Sequence, residues 1–236
     1  MGYCKAVGRG DQKVPVLVPN LSMLPPPQLK LWPELGETPE AFTLYGGTAL
    51  TLRLGHRASA DFDFFSNAPF DPERLASTLP YLKDAERVQI APDTLTCRVD
   101  RGGAVLVSFF GGLGLGQVAE RDEVKGMALY VASLLDIAGT KMAVVQKRAE
   151  PKDYLDIDAL LRHGVDLPTA LAAGSVVYGR SFNPLITLKA LSFFDDVPML
   201  SGEVKERLSA AVEAVDVIKL PALTAHAPRG ENGVKP

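Results

Sequence analysis

The sequence predicts an α+β fold: a short mixed sheet with flanking helices, followed by a helical C-terminal part. Three observations predict it. The stretch Thr43–Phe65 joins a β-prone run, a glycine pair, a short helix pattern and a second β-prone run. Residues 88–90, 94–100 and 104–110 then alternate or cluster apolar residues in strand-length runs. From Ser133 onward, strand patterns give way to capping residues and apolar residues at helical spacing. The chain divides accordingly into an N-terminal extension (1–40), a core (41–125), a helical part (126–220) and a tail (221–236).

The elements follow in order. Residues 1–14 are polar and read as a loose extension. Residues 14–18 read as a short strand or extended arm. The proline run 25–27 suits a helix first turn, so a short helix over 28–35 carries Trp32 to the core. Residues 42–45 form a short β run that meets Gly46-Gly47, where the backbone turns tightly and approaches a ligand. Thr48–Leu54 reads as a helix with Leu50 and Leu54 on one face, stopped by Gly55. A strand, a Gly turn and a helix start leave free N–H groups aimed outward, which is an anion site.

Asp61-Phe62-Asp63-Phe64-Phe65 is a strand whose alternate residues point to opposite sides. Asp61 and Asp63 therefore share one face, and Phe62 and Phe64 the other. On its own, this pattern also describes an edge strand with a solvated acidic face. With Gly46-Gly47 one helix upstream it reads as a metal site. Adjacent carboxylates repel, a divalent cation removes that cost, and hard oxygen ligands plus substrate phosphates suit Mg²⁺.

Beyond this stretch, Asp71-Pro72 opens a helix to about Leu79. Arg101-Gly102-Gly103 joins the strands 94–100 and 104–110 as a hairpin. In the second strand Val105, Val107 and Phe109 share one face, and Leu106, Ser108 and Phe110 the other. Gly111–Gly116 reads as a flexible connector and hinge, lacking the context of a dinucleotide fingerprint. Ser133 caps a helix running to about Arg148. Pro151 opens the next, over 152–161, and a short link makes the two antiparallel. Asp153 and Asp156, at i and i+3, share a face, and Lys141 falls opposite Asp153. Helices follow from Leu167 to about Ala173, over 185–194 with Leu185, Leu188 and Leu191 as the buried stripe, and over 203–215. The tail is polar and frayed.

Composition bounds the function. A net charge of −3 lacks the strong basic excess of a nonspecific nucleic-acid binder. Cys4 and Cys97 are far apart, which disfavours zinc and disulfides and fits a reducing cytoplasm. No apolar run is long enough for a membrane span, and the N-terminus lacks the apolar region of a signal peptide. His56, His163 and His226 form no ligand set; His56 reads as a loop residue near the site.

Gly46-Gly47, Arg57-Ala58-Ser59 and Asp61-Phe62-Asp63 resemble the first motif of polymerase-beta-type nucleotidyltransferases. More narrowly, GGTALTLRLGHRASADFDFF resembles the AbiEii-type nucleotidyltransferase toxin family of bacterial toxin–antitoxin systems. KMAVVQKRAEPKDYLDI resembles the second conserved block of that family. Together the blocks cover roughly residues 40–165. The resemblance implies a nucleotidyltransferase-fold core. It implies that Gly46, Gly47 and Ser59 contact a nucleoside triphosphate, with Arg57 near its phosphates. By the same resemblance Asp61 and Asp63 bind Mg²⁺, Lys141 touches the phosphates, and Asp153 supports catalysis or orients the lysine. Arg148 and Asp156 would play supporting parts. The implied reaction moves a nucleoside monophosphate to an RNA hydroxyl, such as a tRNA 3′ end, or to a protein hydroxyl. A cognate antitoxin is the implied protein partner. The sequence departs from the superfamily at one place. The neighbouring strand is expected to hold a third carboxylate, and VLVSFFG offers Ser108 instead, with Asp100 the nearest acidic substitute. That departure motivates one alternative, a nucleotide-binding module without turnover; the resemblance also allows a phosphotransferase that uses the same Gly-rich cradle.

Overall fold

A computed structural model describes residues 14–227 of the chain. Strand β1 (Val16–Leu17) leads to helix α1 (Pro26–Leu31), which tightens into a 3₁₀ turn over Trp32–Glu37. The helix expected over 28–35 is thus split. Pro33 falls in the first turn of the 3₁₀ segment, where its missing N–H costs nothing. Trp32 is buried, as expected.

Strand β2 (Thr43–Tyr45) enters helix α2 (Gly46–Leu54) without an intervening loop, and α2 ends on Gly55 in the left-handed region. Strand β3 (Asp61–Phe65) follows, then helix α3 (Pro72–Thr78), capped by the Asp71 carboxylate. Strands β4 (Glu86–Ala91), β5 (Thr94–Asp100) and β6 (Ala104–Phe110) form a meander. Two short strands, β7 (Asp122–Val124) and β8 (Tyr130–Val131), are too brief to leave a sequence pattern. The sheet order is β1-β7-β8-β2-β3-β6-β5-β4, so β3 lies near the centre. It pairs antiparallel with β2 and parallel with β6.

The helical part comprises α4 (Leu134–Val144), α5 (Pro151–Arg162), α6 (Leu167–Tyr178), α7 (Pro184–Ser192) and α8 (Gly202–Glu213). Helix α4 is buried almost all round, because α2, α5, α6 and α7 pack about it. It stops at Val144, short of the expected Arg148, where the chain turns towards α5. Helix α6 continues past Ala173 to Tyr178, and the Phe182 ring fills the space beside Gly174, where a Cβ would meet it at 2.7 Å. In α7 the expected stripe fails at Leu185, which is 59 % exposed. Thr187 and Leu191 are the inward residues, and the Thr187 hydroxyl donates to the Met142 carbonyl at 2.8 Å.

Two loop readings change as well. The connector 111–116 is pinned rather than hinge-like. Gly111, Gly112 and Leu113 donate to Asp93, Ala68 and Ser66 carbonyls, and Leu115 donates to the Asn67 side chain. In the tail, Ala227 pairs with Gln117 as an isolated bridge. Residues 1–13 and 228–236, read as loose and frayed, lie outside the described residues.

The core lies on the face of β3 opposite the aspartates. Phe62 and Phe64 are fully buried, and Phe64 stacks on Phe109 at 5.1 Å. Burying an aromatic of this size contributes about 2–3 kcal/mol, enough to fix which face of β3 turns inward. A one-residue register slip would bury the carboxylates and is excluded by that cost. Helices α4 and α6 meet closely at Gly139, whose absent Cβ would lie 2.8 Å from the Ala173 carbonyl carbon. Gly139→Ala is expected to lower stability by about 1–2 kcal/mol, because overpacking outweighs the helix-propensity gain. Chemical denaturation checks this; a more stable variant would mean the helices are not in close contact.

Candidate active site

The glycine turn positions the site. Tyr45 leads straight into α2, and Gly46 takes φ +72°, a conformation that favours glycine. A Cβ there would meet the Asp63 carboxylate at 2.6 Å. A Cβ on Gly47 would meet the Arg57 guanidinium at 2.7 Å and the Ser59 hydroxyl at 2.9 Å. The pair is therefore bare because a carboxylate, a guanidinium and a hydroxyl occupy the space around it. The first N–H groups of α2 emerge there without a side-chain cap. Thr48 donates its hydroxyl to the Asp61 carbonyl, and Thr51 donates to the Arg57 carbonyl at 3.0 Å. These bonds tie α2 to both ends of the 57–61 segment.

A cleft of about 550 Å³ opens over this turn. It brings together Gly46, Gly47, Arg57, Ser59, Asp61, Asp63 and Lys141, all named from the sequence. Further lining from Lys147, Arg148 and Lys152 adds cations, and Phe65, Phe110 and Tyr178 add aromatic rings. Asp61 and Asp63 stand half-buried on one face of β3. Burial, and then the Asp61 charge, push the Asp63 carboxyl above the usual carboxylate range, against the pull of Lys141, Lys152 and Arg148. An upward shift of this origin marks a carboxylate short of cationic partners.

Ser108 is the direct neighbour of Asp63 on β6, in parallel register and on the same face. It is buried and accepts a bond from the Thr96 hydroxyl at 3.2 Å. The position of the expected third carboxylate therefore holds a hydroxyl. Asp100 does not substitute for it. It sits at the exposed hairpin end and accepts from the Gly102 and Gly103 N–H groups at 2.8 and 3.0 Å, which hold its carboxyl below the usual range.

Behind the cleft lies a buried ion network. Lys141 reaches Asp153 at 3.0 Å and Asp156 at 2.6 Å, with both carboxylates wholly buried. Arg148 donates to the other oxygen of Asp153 at 2.8 Å. Asp156 accepts from Arg57 through both oxygens, at 2.6 and 2.8 Å, and bonds His56 Nε2 at 2.7 Å. Asp153 thus lies behind the lysine rather than on the cleft surface. Asp156 carries the larger share of the network, which sequence reasoning gave only a supporting part. Its signal was present in the i, i+3 spacing from Asp153, but its reach to 56–57 depends on how α2 and α5 pack. Burial alone would raise the Asp156 carboxyl. The His56 and Arg57 hydrogen bonds and the Lys141 charge outweigh it, holding the carboxyl well below the usual range.

A two-carboxylate cluster facing cations suits a divalent ion shared with phosphates. Among the described residues no group of three or more His, Cys, Asp or Glu side chains is placed to hold a metal. Asp61 and Asp63 would supply one or two ligands, as Mg²⁺ commonly takes from protein, and phosphates the rest.

The family model of the nucleotidyl transferase AbiEii toxin, type IV toxin–antitoxin system, matches residues 34–216. The chain belongs to this family of nucleotidyltransferases. An uncharacterised protein of Aquifex aeolicus is 32 % identical over 158 residues, covering 66 % of this chain and 74 % of that protein. Two solved structures share the family's fold. A putative nucleotidyltransferase from H. pylori superposes with a TM-score of 0.51 at 18 % identity, covering 79 % of this chain and 90 % of its own. MenT4, a nucleotidyltransferase toxin from Mycobacterium tuberculosis H37Rv, does so with 0.54 at 19 %, covering 81 % and 83 %. No helix among the described residues is long and apolar enough to cross a membrane.

The Asp156 network makes a pH prediction. A carboxyl held low in the folded state contributes stability above its unfolded pKa and loses it as pH falls towards the folded one. Acidification below about pH 4 is therefore expected to destabilise the protein. Asp156→Asn should lower stability at neutral pH by about 3–5 kcal/mol, by leaving Arg57 without its carboxylate and Lys141 with Asp153 alone. It should also flatten the acid dependence. Denaturation midpoints measured across pH check this; an unchanged acid limb would show that Asp156 does not hold the network.

Proposed function

We propose that this member of the family moves a nucleoside monophosphate from a Mg²⁺-bound nucleoside triphosphate to a hydroxyl of an RNA, such as a tRNA 3′ end, or of a protein. The supporting observation is the cleft itself, where two adjacent carboxylates face five cationic side chains across an uncapped helix start. Carboxylates with that many cations suit a ligand carrying both a metal and several phosphates.

Each residue has a part in this reading. Asp61 and Asp63 would hold Mg²⁺, whose bound charge would polarise the reacting phosphate. The N–H groups of the Gly46–Gly47 turn and the Ser59 hydroxyl cradle the triphosphate. Lys141 and Arg57 neutralise its oxygens, and Asp153 and Asp156 hold those two cations in place. The acceptor oxygen bonds to the α-phosphorus, the bond from that phosphorus to its bridging oxygen breaks, and pyrophosphate leaves. The acceptor's proton passes to solvent, since Ser108 cannot take it. Positioning and charge neutralisation then supply most of the acceleration. A missing base costs about 10²–10⁴-fold, which leaves a slow enzyme. A cognate antitoxin and a cytoplasmic setting complete the reading.

The same Ser108 favours a second reading, a module that binds the nucleotide without turnover. Incubation with α-labelled ATP, GTP, CTP or UTP, Mg²⁺ and tRNA or protein acceptors separates the two. Expected are a nucleoside monophosphate adduct and pyrophosphate, lost with a chelator and reduced about 10²-fold or more in Asp61→Ala and Asp63→Asn. Tight binding without an adduct supports the module. A product heavier by one phosphate alone indicates phosphotransfer and overturns the proposal.

A further inference from the structure

The loop between α2 and β3 uses its two kinds of backbone group unequally. Its carbonyls are occupied. Thr51 donates to the Arg57 carbonyl at 3.0 Å, Arg57 Nη1 to the Ala58 carbonyl at 2.9 Å, and the Gln28 amide to the Ala60 carbonyl. The N–H groups of Ala58, Ser59 and Ala60, in contrast, make no hydrogen bond among the described residues. All three residues line the first cleft. A trans peptide sets its C=O and N–H in opposite directions, and no peptide here is cis. Thr51 is buried and stands outside the cleft lining, so its hold on the Arg57 carbonyl turns the Ala58 N–H away from α2. Gln28 fixes the Ala60–Asp61 peptide, which joins these unpaired N–H groups to the first of the two carboxylates.

Gln28 reaches the loop from α1, ahead of the matched residues 34–216. One helical turn further on, the Trp32 ring lies 6.4 Å from Phe62. The N-terminal segment therefore grips the start of β3 at two points, Ala60 and Phe62. Gln28 is 2 % exposed, and its Oε1 is buried without a partner among the described residues. One other buried side-chain atom there is in the same state, His56 Nδ1, at the opposite end of this loop. An amide buried with one half unpaired costs stability, and a methionine of similar length would fill the space without that cost. Core packing therefore does not account for a glutamine at this position; the donor that holds Ala60 does.

We infer that Gln28 is a positioning residue for the triphosphate, holding the loop 57–60 so that its unpaired N–H groups form a backbone cradle for phosphate oxygens. The inference rests on the nucleotidyl-transfer reading above, and it gives the N-terminal extension a part in that site. Successive N–H groups left unpaired in a loop bind anions. A polyphosphate is the class of anion that fits, because Asp61 follows the cradle with a metal ligand and Arg57 precedes it with a guanidinium. Gln28 touches no substrate atom and acts through the Ala60 carbonyl.

The test uses the full chain, wild type and Gln28→Met. Affinity for Mg²⁺–ATP, GTP, CTP and UTP, KM and kcat for transfer, and denaturation midpoints are compared. Gln28→Met is expected to weaken triphosphate binding and raise KM by about tenfold, the worth of one well-aligned hydrogen bond. The kcat should change by less than about twofold, as loss of uniform binding does. The denaturation midpoint should stay level or rise, which separates positioning from a packing role. In the wild type, Mg²⁺ with inorganic tripolyphosphate should shift the backbone amide NMR signals of Ala58, Ser59 and Ala60. Unaltered triphosphate affinity in Gln28→Met overturns the inference, and so do amide signals at 58–60 that stay put while tripolyphosphate binds. That second measurement stands even if the variant does not fold. A wild type that binds no Mg²⁺–triphosphate overturns the nucleotidyl-transfer reading as well, so the two failures are distinguished.

Discussion

The site depends on one buried interaction, the ammonium of Lys141 held between Asp153 and Asp156. A lysine side chain 6 % exposed is costly unless paired, and two wholly buried carboxylates are costly unless neutralised. Each therefore needs the other. Because Asp156 also grips Arg57 and His56, the same charge balance ties α5 to the loop after α2. Helix α4 brings the lysine, α5 the carboxylates, and the α2–β3 loop the guanidinium. The result is a rigid cationic wall facing the acidic strand.

That wall gives the acidic pair its meaning. On a free strand, Asp61 and Asp63 would be a solvated face. Here Asp63 is half-buried against Gly46, repelled by its neighbour and only partly compensated by surrounding cations. Such a carboxylate gains from a bound divalent ion, and the cations gain from phosphates that the ion brings. Both groups of charges line the same cleft. Ser108 marks where this chain parts from the expected three-carboxylate arrangement.

Much of this was legible in the sequence, for identifiable reasons. The strand–glycine–helix–strand stretch is local, and its period-two alternation fixes the faces of β3 without reference to the rest of the fold. The caps at Asp71, Ser133, Asp166 and Asn183 are local too, and each accepts backbone N–H groups as expected. What was not legible was non-local. The reach of Asp156 to residues 56–57 depends on helix packing a hundred residues apart. β7 and β8 are held by neighbours rather than by their own pattern. The face of α7 was misjudged because a threonine hydroxyl, satisfied by the Met142 carbonyl, turned inward where a leucine was expected. The glycine-rich connector looked mobile by composition, yet its N–H groups are bonded to the loops after β3 and β4 and to α6.

The most direct test of the central claim is a crystal structure with Mn²⁺ and a non-hydrolysable nucleoside triphosphate. The account predicts an anomalous metal peak between the Asp61 and Asp63 carboxylates, with the triphosphate on the Gly46–Thr48 turn and its oxygens facing Lys141 and Arg57. A metal bound elsewhere, or phosphates turned away from that turn, would contradict it.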